Sequence, residues 1–136
     1  MINIADYTMK ELNSILSRSF GKFKNGRSRK VYIDKINRIV YKLPIISSAK
    51  HFNTQEYKNY LAYVNGTFDV HVAACELFYT KDNIPIIVME FVADYYATCK
   101  TLKGLPEWAK NGRVDDHQIG FNDRGDIVCY DCTTGV

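Results

Sequence analysis

Arg38-Ile-Val-Tyr-Lys-Leu-Pro44 sets a single lysine in an apolar run that closes on a proline. Its branched and aromatic residues favour an extended chain, and Pro44, which has no amide proton for a ladder, marks the end of a strand. Lys42 then has two readings. At an edge or solvent-facing position its butyl stem packs while the ammonium stays wet. Facing a cleft, it holds an anion. The residues that the rest of the chain can bring near it decide between them.

The neighbouring segments supply an α+β frame with mainly antiparallel pairing. Asp6 to Arg18 carries Met9, Leu12, Ile15 and Leu16 at helical spacing, with Asp6 or Thr8 able to cap its start. Gly21 and Gly26 bracket a basic loop. Arg29–Asp34 and Ile36–Leu43 read as a hairpin turning around Asp34-Lys35. Asn53 or Thr54 opens a second helix that shows Tyr57, Leu61 and Val64 on one face and ends near Gly66. Cys75–Tyr79 and Pro85–Phe91 are two further strands around a turn at Lys81-Asp82-Asn83. Ala93–Lys100 and Pro106–Asn111 read as short helices. From Gln118 to Asp131, two apolar runs flank Asn122-Asp-Arg-Gly125, a glycine-containing hairpin turn.

With 136 residues the chain is most simply one domain with a real core. Ten tyrosines suit a small chain that needs large amphipathic side chains at its core edge. A net charge of +3 does not argue for nucleic acid. The basic residues from Lys22 to Lys42 lack the repeated aromatic-basic pattern of a nucleic-acid surface and read as a solvated face. No stretch approaches a membrane span, and the first residues lack the order of a signal peptide, so a cytoplasmic location is expected. Cys75, Cys99, Cys129 and Cys132 are expected as reduced thiols. Cys129-Tyr-Asp-Cys132 has CxxC spacing, but zinc needs two further ligands, and no second CxxC or HxxxH follows from the three histidines.

Several polar residues fall at element ends. Gly26 opens a hairpin whose backbone N–H groups could approach phosphates. Lys42 follows on the next strand, and Glu56, in the first turn of the following helix, is placed to pair with it. Met89-Glu90 ends a strand. Asp115-Asp-His-Gln118 leads into the last hairpin and Asp131 closes it, which puts carboxylates and an amide side by side. Oxygen ligands of this kind suit Mg²⁺ bound with substrate phosphates.

Glycine loop, strand lysine, helix glutamate, Met-Glu strand, acidic loop with an amide, hairpin and aspartate form the order of parts in a protein kinase. The chain resembles the protein-kinase-like superfamily, and in particular small kinase-like proteins of bacteriophages. The resemblance rests on Gly-x-Ser-Arg-x-Val-Tyr (Gly26 to Tyr32), Val-Tyr-Lys-Leu-Pro (40 to 44) and Asn-x-x-Glu (53 to 56). Ile-Pro-x-x-Val-Met-Glu (84 to 90), Asp-x-x-Gln-x-Gly (115 to 120) and Tyr-Asp (130 to 131) complete it.

What the resemblance implies is a minimal kinase-like fold in one domain, 1–136. About 1–90 would be N-lobe-like, an antiparallel sheet with one helix of the αC type. About 91–136 would be a hinge, short helices and a hairpin remnant of the C-lobe. It implies ATP and Mg²⁺ as cofactors. Gly26, Ser28 and Lys42 would hold phosphates, Glu56 would position Lys42, and Glu90 and Val92 would line the adenine site. Asp115 or Asp116 would act as base, and Gln118 and Asp131 would hold the metal.

The pattern also departs from the family. The His-Arg-Asp triplet is absent, no asparagine stands five residues after the aspartate, and Cys-Thr-Thr-Gly follows Asp131 where Phe-Gly is expected. The sequence ends five residues after Asp131, so the activation segment and peptide-docking helices are not expected. Two functions follow. One is a nucleotide-binding protein with at most residual phosphotransfer. The other is a pseudokinase-like module that binds and modulates a host protein without catalysis.

Overall fold

In the computed structural model, residues 2–25, 28–45, 49–94, 105–110 and 118–133 are described. The hairpin around Lys42 is formed by β2 (Arg29–Asp34) and β3 (Ile39–Pro44), antiparallel in register from Arg29 opposite Pro44 to Asp34 opposite Ile39. Its turn is longer than the sequence suggested. The Asp34 carboxylate accepts from the backbone of Ile36 (3.1 Å) and Asn37 (3.0 Å) and from the Asn37 amide (2.8 Å). These local bonds compete with the ladder, so the strand expected from Ile36 begins at Ile39. Arg38 completes the turn with φ +56°.

Two residues before the loop, Lys24–Asn25 (β1), pair with β2, and β4 (Cys75–Tyr79) and β5 (Pro85–Glu90) complete a five-stranded antiparallel sheet. Its order is β1-β2-β3-β5-β4. Helix α1 (Met9–Phe20) covers one face. Thr8, and not Asp6, is its cap: Glu11 N donates to the Thr8 hydroxyl and Thr8 N to the Glu11 carboxylate, at 3.2 and 2.9 Å. Asp6 belongs to the short 3₁₀ turn Ile4–Asp6 before it. The β4–β5 turn docks on this helix start, where Asp82 accepts from Met9 N (2.9 Å) and Lys81 N donates to the Tyr7 carbonyl (2.7 Å). Leu12, Leu16, Tyr32, Tyr41, Leu43 and Ile86 form the core between α1 and the sheet.

Helix α2 (Lys50–Val64) lies against the other face of the sheet. It starts three residues before Asn53 and has no side-chain cap, so Asn53 and Thr54 are inside it. Glu56 accordingly stands in the second turn. The apolar face anticipated from Tyr57, Leu61 and Val64 is not the buried one, since Leu61 and Val64 are 40% and 60% exposed. The fully buried side chains of α2 are Asn53, Glu56 and Asn59, a polar stripe at spacing of three. A buried polar stripe survives only when every group is paired. That requirement organises the site described below. Tyr57 and Tyr60 pack on the core of Val40, Cys75, Ile87, Met89 and Val128 beside it.

A second, three-stranded sheet follows in the order β6 (Val92–Asp94), β7 (Ile119–Asn122), β8 (Ile127–Cys129). Ala93 and Asp94, expected in a helix, are strand residues here, paired with Phe121 and Gly120. Residues 95–100 of that expected helix lie outside the described residues. Gly120 explains the pairing in part: a Cβ there would run into the Ala93 carbonyl and come within 2.7 Å of Val92 Cγ1. The close approach of β6 thus depends on glycine. The β7–β8 turn is as expected, with Asn122 Oδ1 accepting from Arg124 N and Asp126 N, both at 3.0 Å, and Gly125 at φ +82°. A one-turn helix, α3 (Glu107–Lys110), lies within the expected Pro106–Asn111 segment. Its Trp108 and Ala109 join Val70, Val72, Ile119 and Cys129 in a third core cluster. The architecture is therefore α+β with an antiparallel sheet and a few helices. Among the described residues, no helix is long and apolar enough to cross a membrane.

Candidate functional site

Lys42 faces inward. It alternates with Tyr41 and Leu43, which point to the α1 core, so its side chain emerges on the α2 face, where it is 4% exposed. An ammonium at such depth needs partners. Lys42 Nζ donates to Glu56 Oε1 at 2.9 Å and to the Tyr130 carbonyl. The pairing of strand lysine with helix glutamate, expected from their order in the sequence, is present.

Glu56 does more than hold Lys42. Its Oε1 also accepts from Arg29 Nη1 at 2.6 Å, and its Oε2 from the Cys132 backbone N–H at 2.7 Å. Arg29, 5% exposed, extends its other nitrogen to Asp131 Oδ1. The result is a cluster of two buried cations, the buried Glu56 carboxylate and the partly exposed Asp131 carboxylate, shared between β2, β3, α2 and the segment after β8. The polar stripe of α2 frames it. Asn53 accepts from Arg29 Nη1 (3.1 Å) and donates to the carbonyls of Lys42 (2.9 Å) and Pro85 (2.8 Å). Asn59 donates to the Cys132 carbonyl at 2.9 Å and to its sulfur at 3.6 Å.

The ionisation of the cluster follows from this sharing. Burial alone would raise the Glu56 carboxyl, but the Lys42 and Arg29 charges together outweigh burial and hold it below the ordinary carboxylate range. Burial pushes the Lys42 ammonium down. Glu56 offsets that only in part because Arg29 draws on the same carboxylate and repels the ammonium. Arg29 faces the same burial, yet Glu56 and Asp131 together raise its affinity for the proton. Two cations on one glutamate thus favour the carboxylate strongly and burden the lysine.

The other expected site residues fall as follows. Ser28 immediately precedes β2, its carbonyl accepting from Ile45 N at 2.9 Å. Gln118 lies opposite Tyr130, the residue before Asp131, whose N–H donates to the Gln118 carbonyl at 2.8 Å. Asp131 is 45% exposed on its side chain. Val92 pairs with Asn122 in the second sheet. The Glu90 side chain points away from Lys42: it accepts from Ala74 N at 2.7 Å and lies 3.6 Å from Arg124. Glu90 lines a separate cleft of about 600 Å³ with Tyr60, Tyr63, Trp108 and Asn122, and neither Lys42 nor Asp131 reaches it. Gly26 and Asp115, and with them Asp116, lie outside the described residues.

Arg29, Asn53, Asn59 and Cys132 are the members that sequence reasoning left without a role. Arg29 and Asn53 stood inside quoted motifs, and the spacing of Asn53, Glu56 and Asn59 was the available signal. Among the described residues no group of three or more His, Cys, Asp or Glu side chains is arranged to hold a metal ion. Cys75, Cys129 and Cys132 are free and buried. No known protein family matches the sequence, and no curated protein is significantly similar to it.

Proposed function

We propose that the chain is a kinase-like nucleotide-binding protein whose phosphate site is built on Lys42 and Glu56. The observation that carries this reading is the 2.9 Å contact from Lys42 Nζ to Glu56 Oε1, made between a central sheet strand and a helix packed across the sheet. A lysine in that setting is pre-positioned and nearly dehydrated, so its charge acts on phosphate oxygens with little screening. Asp131 supports the same reading. It closes the last hairpin, is partly exposed, and is a carboxylate that would hold a Mg²⁺ accompanying nucleotide phosphates, with Gln118 as the second expected ligand. Bound Mg²⁺ would supply charge neutralisation at the phosphates. The chain's own contribution is to hold Lys42 and to present Asp131.

Arg29 favours a second reading, a pseudokinase-like module that binds a host protein without catalysis. Its guanidinium holds Asp131 Oδ1, and the Tyr130 carbonyl occupies Lys42, so the cluster is satisfied internally. A cation on the carboxylate that should hold Mg²⁺ lowers metal affinity, and nucleotide binding on the first reading requires that pair to open.

Thermal-shift titration with ATP and Mg²⁺ separates the two, comparing wild type with Lys42→Ala and Asp131→Ala. The first reading expects stabilisation of wild type at millimolar nucleotide and its loss in both variants. Stabilisation that survives both substitutions moves the site elsewhere. No stabilisation of wild type leaves the interaction module, which is then tested by co-purification of a host partner.

A further inference from the structure

The cleft lined by Glu90 takes no part in the cluster around Lys42, and its polar groups suit a different ligand. We infer that it binds an uncharged, planar heteroaromatic molecule carrying a hydrogen-bond acceptor for Asn122 and a donor for Glu90. The inference goes beyond nucleotide binding and does not depend on it.

The first observation is the Asn122 side chain, which lines the cleft and is 5% exposed. Its Oδ1 accepts from Arg124 N and Asp126 N, both at 3.0 Å, and these two bonds fix which end of the amide is the oxygen. The other end, Nδ2, is buried and has no hydrogen-bond partner among the described residues. Leaving a buried donor unpaired is costly, and native structures seldom do so. The turn itself does not require that donor, because an aspartate would supply the same acceptor. What Nδ2 lacks is an acceptor, and a ligand in the cleft can bring one.

The second observation is the wall. The cleft, about 600 Å³, has the size of a small-molecule site and is lined by Tyr60 and Tyr63 of α2 and by Trp108 of α3. His71 is packed between Tyr63 and Trp108, with ring centroids 4.9 and 5.2 Å away, and lies within 14° of parallel to the indole. These contacts hold the rings in place before a ligand arrives. A wall of this kind favours a flat ring.

The third observation is charge. Glu90 Oε2 accepts from Ala74 N at 2.7 Å, whereas Oε1 lies 3.6 Å from Arg124, too far for a hydrogen bond. Oε1 can therefore accept from a ligand donor. Arg124 is shared with Asp126 at 3.4 Å, so two carboxylates in the cleft face one guanidinium. That balance repels phosphates and carboxylates. A simple ammonium is also a poor fit, since it has no acceptor to offer Nδ2.

The test titrates the isotope-labelled full chain with quinazolinone, a fused planar lactam carrying both groups, and follows NMR signals. The side-chain amide of Asn122 and the indole of Trp108 should shift and saturate. Asn122→Asp keeps the turn acceptor and removes the donor, so it should bind about tenfold more weakly. Tyr63→Ala, which leaves the turn untouched, should also weaken binding. Naphthoate, a flat anion of similar size, should shift neither signal, and excess ATP with Mg²⁺ should leave the titration unchanged. Unmoved Asn122 and Trp108 signals in wild type at the solubility limit overturn the proposal, a water on Nδ2 then being its sole partner. Undiminished affinity in a folded Asn122→Asp, or equal binding of naphthoate, overturns the assigned chemistry. Competition by ATP would make the cleft part of a nucleotide site and overturn a separate one. Failure of ATP to bind at Lys42 changes none of these outcomes.

Discussion

Replacing Glu56 with glutamine keeps the shape of the side chain and removes its charge, and the cluster should respond far more than a surface pair would. In wild type this carboxylate is fully buried and accepts from Lys42, Arg29 and the Cys132 amide. After Glu56→Gln, Arg29 still has Asp131, but Lys42 keeps only neutral acceptors, the new amide oxygen and the Tyr130 carbonyl. An ammonium therefore remains buried beside a guanidinium with no anion between them, and the amide nitrogen faces the Cys132 N–H. Removing one partner of a buried ion pair costs about 3–5 kcal/mol, because the remaining charge stays desolvated. Against a total stability of about 5–15 kcal/mol for a domain, that is a large share. The melting temperature should fall by roughly 10 °C or more. Urea unfolding followed by the fluorescence of the single tryptophan, Trp108, measures the loss. Lys42→Met on the same background removes the stranded charge, so the double variant should be less destabilised than the sum of the two singles, by about 1–3 kcal/mol. A loss below about 1 kcal/mol for Glu56→Gln, the range of exposed pairs, would refute the argument that the cluster is dry and shared.

Acid should destabilise the fold through the same residue. The folded Glu56 carboxyl ionises below its ordinary value of 4.5, so below that pH the unfolded chain binds the proton first, and stability falls as pH drops through the folded pKa. In pH-dependent urea unfolding the acid slope should be shallower in Glu56→Gln, and an identical slope would contradict the assignment. Gly120→Ala places a methyl group against the Ala93 carbonyl and Val92, and should cost about 1–3 kcal/mol by forcing β6 from β7. Equilibrium unfolding checks this, and a neutral effect would mean that the two strands are further apart. Thr8→Ala removes half of the capping box of α1 and should cost about 1 kcal/mol in the same assay.

The frame was legible in the sequence because its signals are local. Branched and aromatic runs gave four strands of the main sheet, Thr8 and Glu11 with apolar spacing gave α1, and Asn122 to Gly125 gave the last turn. Asp34 spoiled one boundary, since a side chain that bonds its own turn outcompetes three residues of ladder. Ala93 and Asp94 were misread as helical because their strand exists only through pairing with residues more than twenty positions away, across a glycine. Helix α2 was misread for a different reason. Apolar periodicity assumes an apolar core, and here the helix buries amides and a carboxylate against cations from two strands. Lys42 and Glu56 could be paired from their order along the chain. The share taken by Arg29, and the reach of Asp131 to it across 102 positions, depend on tertiary structure that no spacing encodes.

Lys42 as a phosphate-binding residue is tested most directly by an ATP analogue carrying an acyl phosphate, which transfers its acyl group to a lysine lying beside the bound phosphates. Peptide mapping after brief labelling should place the acyl group on Lys42, with excess ATP and Mg²⁺ suppressing it. Acylation spread over exposed lysines, or labelling of Lys42 that nucleotide does not suppress, would contradict a nucleotide site built on Lys42 and Glu56.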